Sequence, residues 1–342
     1  MRRQSLYFVG PGAVEVREER QPEPAPGQVL VQTLLSAISS GTELLFYRGQ
    51  VPEAMQLDAT IPGLPGISSY PLKYGYAAVG RVLRLGQGVA PHWEGKAVFA
   101  FHPHESLFTA DPFALLSLPP GIHPEGAVFL PNMETAVTLV QDGRPMLGEQ
   151  VVVFGQGIVG LLITALLSRF PLGSLVTLDC YPNRRLASEN LGAQFCLDPQ
   201  SPGVLEQVSS CLKEGRSALG ADLAFEVSGN PEGLNQALAV TGFHGRVVIG
   251  SWYGKKRAHL DLGGGFHRSR IRLISSQVST IEPALTGRWQ KPRLLEWAWQ
   301  MIQEVNPVPL ISHSFPFSQA SQAYALLDQS PGEAIQVILT YP

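Results

Sequence analysis

Four apolar residues, Val151-Val152-Val153-Phe154, run into Gly155-Gln156-Gly157-Ile158-Val159-Gly160 and then into the apolar stretch 161–167. This succession of strand, glycine turn and helix constrains the fold more than any other part of the chain. The first glycine permits a tight turn, the second lets the backbone approach a diphosphate, and the third lets a helix pack closely on a strand. The N–H groups of a helix start then face the diphosphate. A bare glycine triplet is weak evidence, but its place between strand and helix predicts a dinucleotide site formed by Gly155, Gln156, Gly157, Ile158, Val159 and Gly160.

The same alternation continues downstream. Apolar runs at 151–154, 175–178, 195–197, 221–225, 245–249 and 271–275 are separated by helical patterns. Near-continuous apolar strands are what a parallel sheet covered on both faces requires. The expected fold is therefore α/β, a doubly wound parallel sheet of Rossmann type. Asp179 lies 19 residues beyond Gly160, at the end of the second strand. A carboxylate there accepts from the adenosine ribose hydroxyls and repels a 2′-phosphate, which favours NAD(H) over NADP(H). Arg184 and Arg185 argue the other way, since a nearby arginine accepts that phosphate.

Before residue 140 the chain reads differently, with short β-type runs at 28–33 and 97–101 and turn signals such as Pro24-Ala25-Pro26-Gly27. Boundaries follow at 1–140 for a mostly β domain, 141–276 for the nucleotide domain and 277–342 for a return to the first. A helix at 291–305 and a strand at 334–340 are expected in that last part. The 342 residues are 44% hydrophobic and 15% charged with a net charge of −3. That balance suits a compact protein with a small-molecule substrate rather than a nucleic-acid or membrane partner. No apolar run approaches membrane length and the N-terminus has no signal-peptide pattern, so a cytoplasmic location is expected. Cys180, Cys196 and Cys211 are too few and too scattered for a disulfide framework or a thiolate zinc site.

Several motifs together resemble the medium-chain dehydrogenase/reductase superfamily, the zinc alcohol dehydrogenase relatives. They are Ser39-Ser40-Gly41-Thr42-Glu43, Gly75-Tyr76-Ala77-Ala78-Val79-Gly80, the loop at 155–160, Glu226-Val227-Ser228-Gly229 and Gly245-Arg246-Val247-Val248-Ile249-Gly250. The resemblance spans nearly the whole chain. It implies a GroES-like, mostly β catalytic domain into which the Rossmann domain is inserted, and a homodimer. It also implies that Val227, Ser228, Gly250 and Ser251 line the cofactor.

The departures concern the metal. Where zinc-containing members carry a ligand cysteine, this chain has Ser40, and where they carry a His-Glu pair it has Tyr76 and Ala77. The third ligand position falls at Pro131, and the four-cysteine structural zinc lobe is missing. A catalytic zinc needs three protein ligands and an open position, so no metal is expected and the chain resembles a zinc-lacking branch. Within it, the stretch from Ser39 to Tyr76 is most similar to bacteriochlorophyllide dehydrogenase. His102-Pro103-His104-Glu105 is the one local cluster that suggests a metal, but in an extended segment its histidines face opposite ways, as loop side chains.

Without zinc, the resemblance leaves Tyr76 at the vacated site as the principal acid/base, with Thr42 and Ser40 positioning the substrate oxygen and Thr42 matching the family's relay hydroxyl. That role for a phenol asks for a lowered pKa. Glu43 is expected to hold Tyr76. The alternative is that Tyr76 only fills the metal's space. Asn132 and Glu134, at the start of a predicted helix, are candidates for bonding substrate or nicotinamide ribose. Tyr47, with Phe46, Trp252, Tyr253 and a long Pro/Gly-rich stretch at 48–70, suggests a bulky or aromatic substrate. The expected activity is zinc-independent interconversion of an alcohol and a carbonyl with NAD(H). A quinone or enone reductase and a non-catalytic NAD(H)-binding protein are the alternatives.

Overall fold

The computed structural model describes residues 2–58, 61, 64, 66–213 and 220–342. They gather into two compact units, Asn132–Met301 and Met1–Pro131 with Ile302–Pro342. The boundaries read from composition, 140/141 and 276/277, both lie within the span of the first of these.

The unit Asn132–Met301 is built on a six-stranded sheet. Its order is Phe195–Leu197, Ser174–Leu178, Gln150–Phe154, Ala221–Glu226, Thr241–Ile249 and Arg272–Ser275. All pairings are parallel. Every residue of Gln150–Phe154 and Ser174–Leu178 is buried, which is why these strands are apolar without alternation. The helix Ile158–Leu167 buries every residue but Val159. The first strand of the unit lies between the second and the fourth, so the chain reverses direction across the sheet between Gln150–Phe154 and Ala221–Glu226. Loops leaving the carboxyl ends of those two strands flank the point where open α/β sheets bind ligands. The expected strands agree with the observed ones to within a few residues, and the helix Lys291–Val305 has the expected limits.

The other unit holds a seven-stranded, mostly antiparallel sheet. Its order is Ile311–Pro316, Gln336–Thr340, Val29–Ile38, Ala78–Leu85, Ala97–Ala100 and Leu115–Ser117, with Leu107–Ala110 also on Val29–Ile38. A hairpin of Arg2–Gly10 and Ala13–Arg20 stands beside it. Val29, Val31, Val82, Val98 and Phe108 form one buried cluster. The last strand joins the first part of the chain directly, Val337 opposite Ile38 and Leu339 opposite Ser36.

In the stretch 48–70, Leu57 and Leu64 are buried, while residues 59, 60, 62, 63 and 65 lie outside the described residues. The three cysteines are free and partly buried. Among the described residues no helix is long and apolar enough to cross a membrane.

Candidate active site

The glycine loop has the shape its sequence demands. Gly155 takes a φ of +93°, and a Cβ there would stand 2.5 Å from Ser228 Cα. A Cβ on Gly160 would stand 1.9 Å from the Gly155 carbonyl oxygen. Around Gly157, by contrast, an added Cβ would meet nothing within 4 Å. Gly157 is the N-cap of Ile158–Leu167, whose first intrahelical bond runs from Leu161 N to Gly157 O at 2.9 Å. The first-turn N–H groups of Ile158, Val159 and Gly160 thus lack intrahelical acceptors, as at any helix start. Two glycines are sterically required and the third opens onto free space, the form of a cradle for a diphosphate.

Asp179 is buried at the edge of this cradle. Its carboxylate accepts from Gln156 N at 2.7 Å and from Tyr181 N at 2.9 Å. An ionised carboxylate has about four acceptor sites, so two remain. Arg184 stands 4.0 Å from Asp179 and lies over the Tyr181 ring. The Gln156 side chain turns inward, donating to Gly155 O and accepting from Thr164. Gln156 therefore braces the loop and anchors Asp179 with its N–H.

Glu226, which sequence reasoning passed over, organises the neighbouring loops. It is fully buried at the end of its strand. Its carboxylate accepts from Ser228 N at 2.9 Å, from Ser228 Oγ and from the Tyr253 phenol. Its carbonyl accepts from Gly250 N and Ser251 N, and Ser251 Oγ accepts from Gly229 N at 2.8 Å. Val227 N donates to Phe154 O. One buried acid thus ties Ser228, Gly250 and Ser251 together. Within the same unit, Glu134 is buried and ion-paired with Lys291, and burial raises its pKa against that cation. Asn132 is buried on the same helix, Leu130–Gly143.

In the other unit, Ser39 is the N-cap of the helix Ser40–Tyr47, yet its side chain makes no capping bond. An N-cap serine ordinarily accepts from the helix's own first turn. Here Glu43 reaches back instead, its Oε1 accepting from Ser39 N at 2.8 Å. That leaves the Ser39 hydroxyl to meet the Tyr76 phenol. Thr42 Oγ1 lies 3.3 Å from the same phenol. Tyr76 has one proton to give, so it donates to one hydroxyl and accepts from the other.

Ser39, at the N-cap, is the serine whose hydroxyl meets the Tyr76 phenol, and Ser40 opens the helix. Two expectations change. Glu43 does not bond Tyr76; it is fully buried and also accepts from His104 at 3.0 Å and from the Tyr324 phenol. Finally, the phenol is not made more acidic. Burial pushes Tyr76 up to about 12, with Ser39 and Thr42 holding it back and the Glu43 carboxylate adding to the rise.

The two histidines of the 102–105 cluster do face different ways. His102 bonds Glu105 at 2.9 Å, whereas His104, in the same loop, is fully buried between Glu43 and Ser36. Tyr47 is buried too, its ring stacked on Tyr324 at 5.7 Å.

A zinc site needs nitrogen, sulfur or carboxylate ligands converging on one point. Ser40, Tyr76 and Pro131 are a poor donor set for it. Among the described residues no group of three or more His, Cys, Asp or Glu side chains is placed to hold a metal ion.

No family model matches this chain. It is 23% identical over 329 residues to D-guloside 3-dehydrogenase of Escherichia coli K12, covering 92% of this chain and 93% of that protein. It is 25% identical over 362 residues to 2-desacetyl-2-hydroxyethyl bacteriochlorophyllide A dehydrogenase of Cereibacter sphaeroides, covering 100% and 99%. Among solved structures, a short chain alcohol dehydrogenase of Escherichia coli CFT073 complexed with NADH superposes with a TM-score of 0.78 at 18% identity, covering 99% of both chains. These likenesses establish the fold, a Rossmann-like parallel sheet with a mostly β unit, as in medium-chain alcohol dehydrogenases. (R,R)-butanediol dehydrogenase of Bacillus subtilis and D-xylulose reductase A of Aspergillus oryzae are further sequence relatives, each 24% identical.

Proposed function

We propose that this protein is a zinc-independent, NAD(H)-dependent oxidoreductase that interconverts an alcohol and a carbonyl. The observation that carries the reading is the Tyr76 phenol, bonded to Ser39 and Thr42 where zinc-containing relatives would place a metal ligand. Bound NAD(H) supplies or accepts the hydride. The N–H groups of Ile158, Val159 and Gly160 hold its diphosphate, and the remaining acceptor sites of Asp179 hold its ribose hydroxyls. Ser228, Gly250 and Ser251, fixed by Glu226, line the same side of the sheet.

In the direction of reduction, Tyr76 donates a hydrogen bond to the carbonyl oxygen and passes its proton to that oxygen as negative charge develops there. The phenol is protonated for reduction, and for oxidation the cationic ring of bound NAD⁺ would lower its pKa toward what the role asks for. Thr42 and Ser39 hold the phenol in place, and solvent water reprotonates it through their hydroxyls. Oxidation runs the same steps backwards. The preference for NAD(H) rests on Asp179 and on Arg184 being drawn toward that carboxylate and the Tyr181 ring.

The test is turnover of NAD⁺ with a panel of secondary alcohols and polyols, with and without a strong chelator, for the wild type and Tyr76→Phe. Chelator-resistant turnover that falls about 100-fold in Tyr76→Phe is expected, the size of a general acid–base contribution. Loss of activity on chelation, restored by zinc, would overturn zinc independence. Reduction of enones alone would move the assignment to a C=C reductase, and binding without any turnover to a sensor.

A further inference from the structure

His104 takes no part in the chemistry above, yet it touches both sides of the Tyr76 site. Its Nε2 lies 3.0 Å from Glu43, the residue that frees the Ser39 hydroxyl. Its backbone N–H donates to Tyr74 O at 3.4 Å. Gly75, immediately before Tyr76, lies so close to the ring that a Cβ there would stand 2.7 Å from His104 Cδ2 and Nε2, and its φ is +116°. The imidazole therefore sets how near the Gly75 turn can come to the helix Ser40–Tyr47.

The other ring nitrogen is held as firmly. Nδ1 lies 2.7 Å from Ser36 Oγ, which lies 2.9 Å from the Tyr341 phenol. One assignment of protons satisfies every bond. Tyr341 donates to Ser36, Ser36 donates to Nδ1, and Nε2–H and the Tyr324 phenol both donate to Glu43. Ser36, His104, Glu43 and Tyr324 are fully buried and Tyr341 partly so, and a lost partner in such a network is costly.

We propose that His104 is the positioning residue for Tyr76, fixing the phenol against Ser39 and Thr42 through Glu43 on one side and the Gly75 turn on the other. The proposal rests on the reading of Tyr76 as the working phenol, but its test does not. The full chain is labelled with 3-fluorotyrosine, and the Tyr76 fluorine resonance is identified by its loss in Tyr76→Phe. His104→Leu is expected to shift and broaden that resonance. His104→Gln, whose amide still donates to Glu43 and accepts from Ser36, is expected to restore it.

With any alcohol found to turn over, His104→Leu lowers kcat at least tenfold with an unchanged Kd for NADH. An unmoved resonance in folded His104→Leu, or equal disturbance in His104→Gln, would sink the proposal. Should His104→Leu not fold, Ser36→Ala takes its place; it frees Nδ1 and is expected to move the same resonance, and an unmoved signal counts against the proposal. If Tyr76→Phe retains full turnover while His104→Leu still moves the resonance, the proton-donor reading fails and the positioning role stands.

Discussion

The α-carbon of Gly160 packs against the Gly155 carbonyl so closely that any side chain at 160 would collide with backbone. Backbone cannot swing aside as a side-chain tip can. Gly160→Ala must push the helix Ile158–Leu167 off its strand, an overpacking cost of about 1–3 kcal/mol. A lowered melting temperature is expected, together with NADH binding weakened about tenfold or more in fluorescence titration. Gly157→Ala meets no protein atom and is expected to keep the fold while losing the cofactor. Unchanged NADH affinity in Gly157→Ala would place the diphosphate elsewhere.

Asp179 holds Gln156 N and Tyr181 N and has Arg184 beside it. Hydrogen bonds to a charged group contribute about 1.5–3 kcal/mol each. Asp179→Ala is expected to weaken NADH binding about 10- to 100-fold. It also releases Arg184, so the ratio of NADPH to NADH affinity is expected to rise. Parallel titrations with the two reduced cofactors measure this, and an unaltered ratio would remove Asp179 as the discriminator.

A second ionic cluster predicts an acid limit on stability. Burial pushes Glu105 up, but His102 and Lys73 outweigh it and hold the carboxyl at about 2, below its ordinary 4.5. A carboxyl depressed in the folded state stabilises above its unfolded pKa, and that contribution fades as the pH falls toward its folded one. The shift corresponds to about 3 kcal/mol, lost between about pH 4.5 and pH 2. Denaturation curves across this window should be steeper for the wild type than for Glu105→Gln. Equal slopes would mean that the cluster contributes nothing to acid stability.

Tyr324 donates to the fully buried Glu43. Tyr324→Phe leaves that carboxylate with one donor fewer, a loss of about 1–3 kcal/mol. A melting temperature lowered by several degrees is expected in calorimetry, with NADH affinity unaffected because the cradle belongs to the other unit. A thermally neutral substitution would show that Glu43 is satisfied without the phenol.

What the amino-acid sequence disclosed divides along the chain. The nucleotide unit was legible because its rules are local: apolar strands of four to six residues, three glycines with separate steric duties and one acid at a strand end. The Tyr76 site was legible only in part. Tyr76 and Thr42 belong to short motifs, but Glu43 finds its partners 61 and 281 residues away, at His104 and Tyr324. Periodicity carries no information about such pairings. Ser39 could have been found by placing the helix start at Ser40, which makes Ser39 the N-cap. His104 carried a signal as well, since alternation in an extended segment separates it from His102. That rule could not say that a buried acid waited on the other face.

The unit that holds Tyr76 is interrupted in sequence, and its remaining elements follow the nucleotide unit. The Leu35–Ile38 end of Val29–Ile38 has no partner on one side until Gln336–Thr340 exists, and Glu43 and Ser36 wait for Tyr324 and Tyr341. During synthesis, domains fold as their sequence emerges. The nucleotide unit has its whole sequence before the unit that holds Tyr76 has its own, and the Leu35–Ile38 edge stays open in the interval. The surroundings of Glu43, and with them the Tyr76 site, are therefore completed only after the nucleotide unit has emerged.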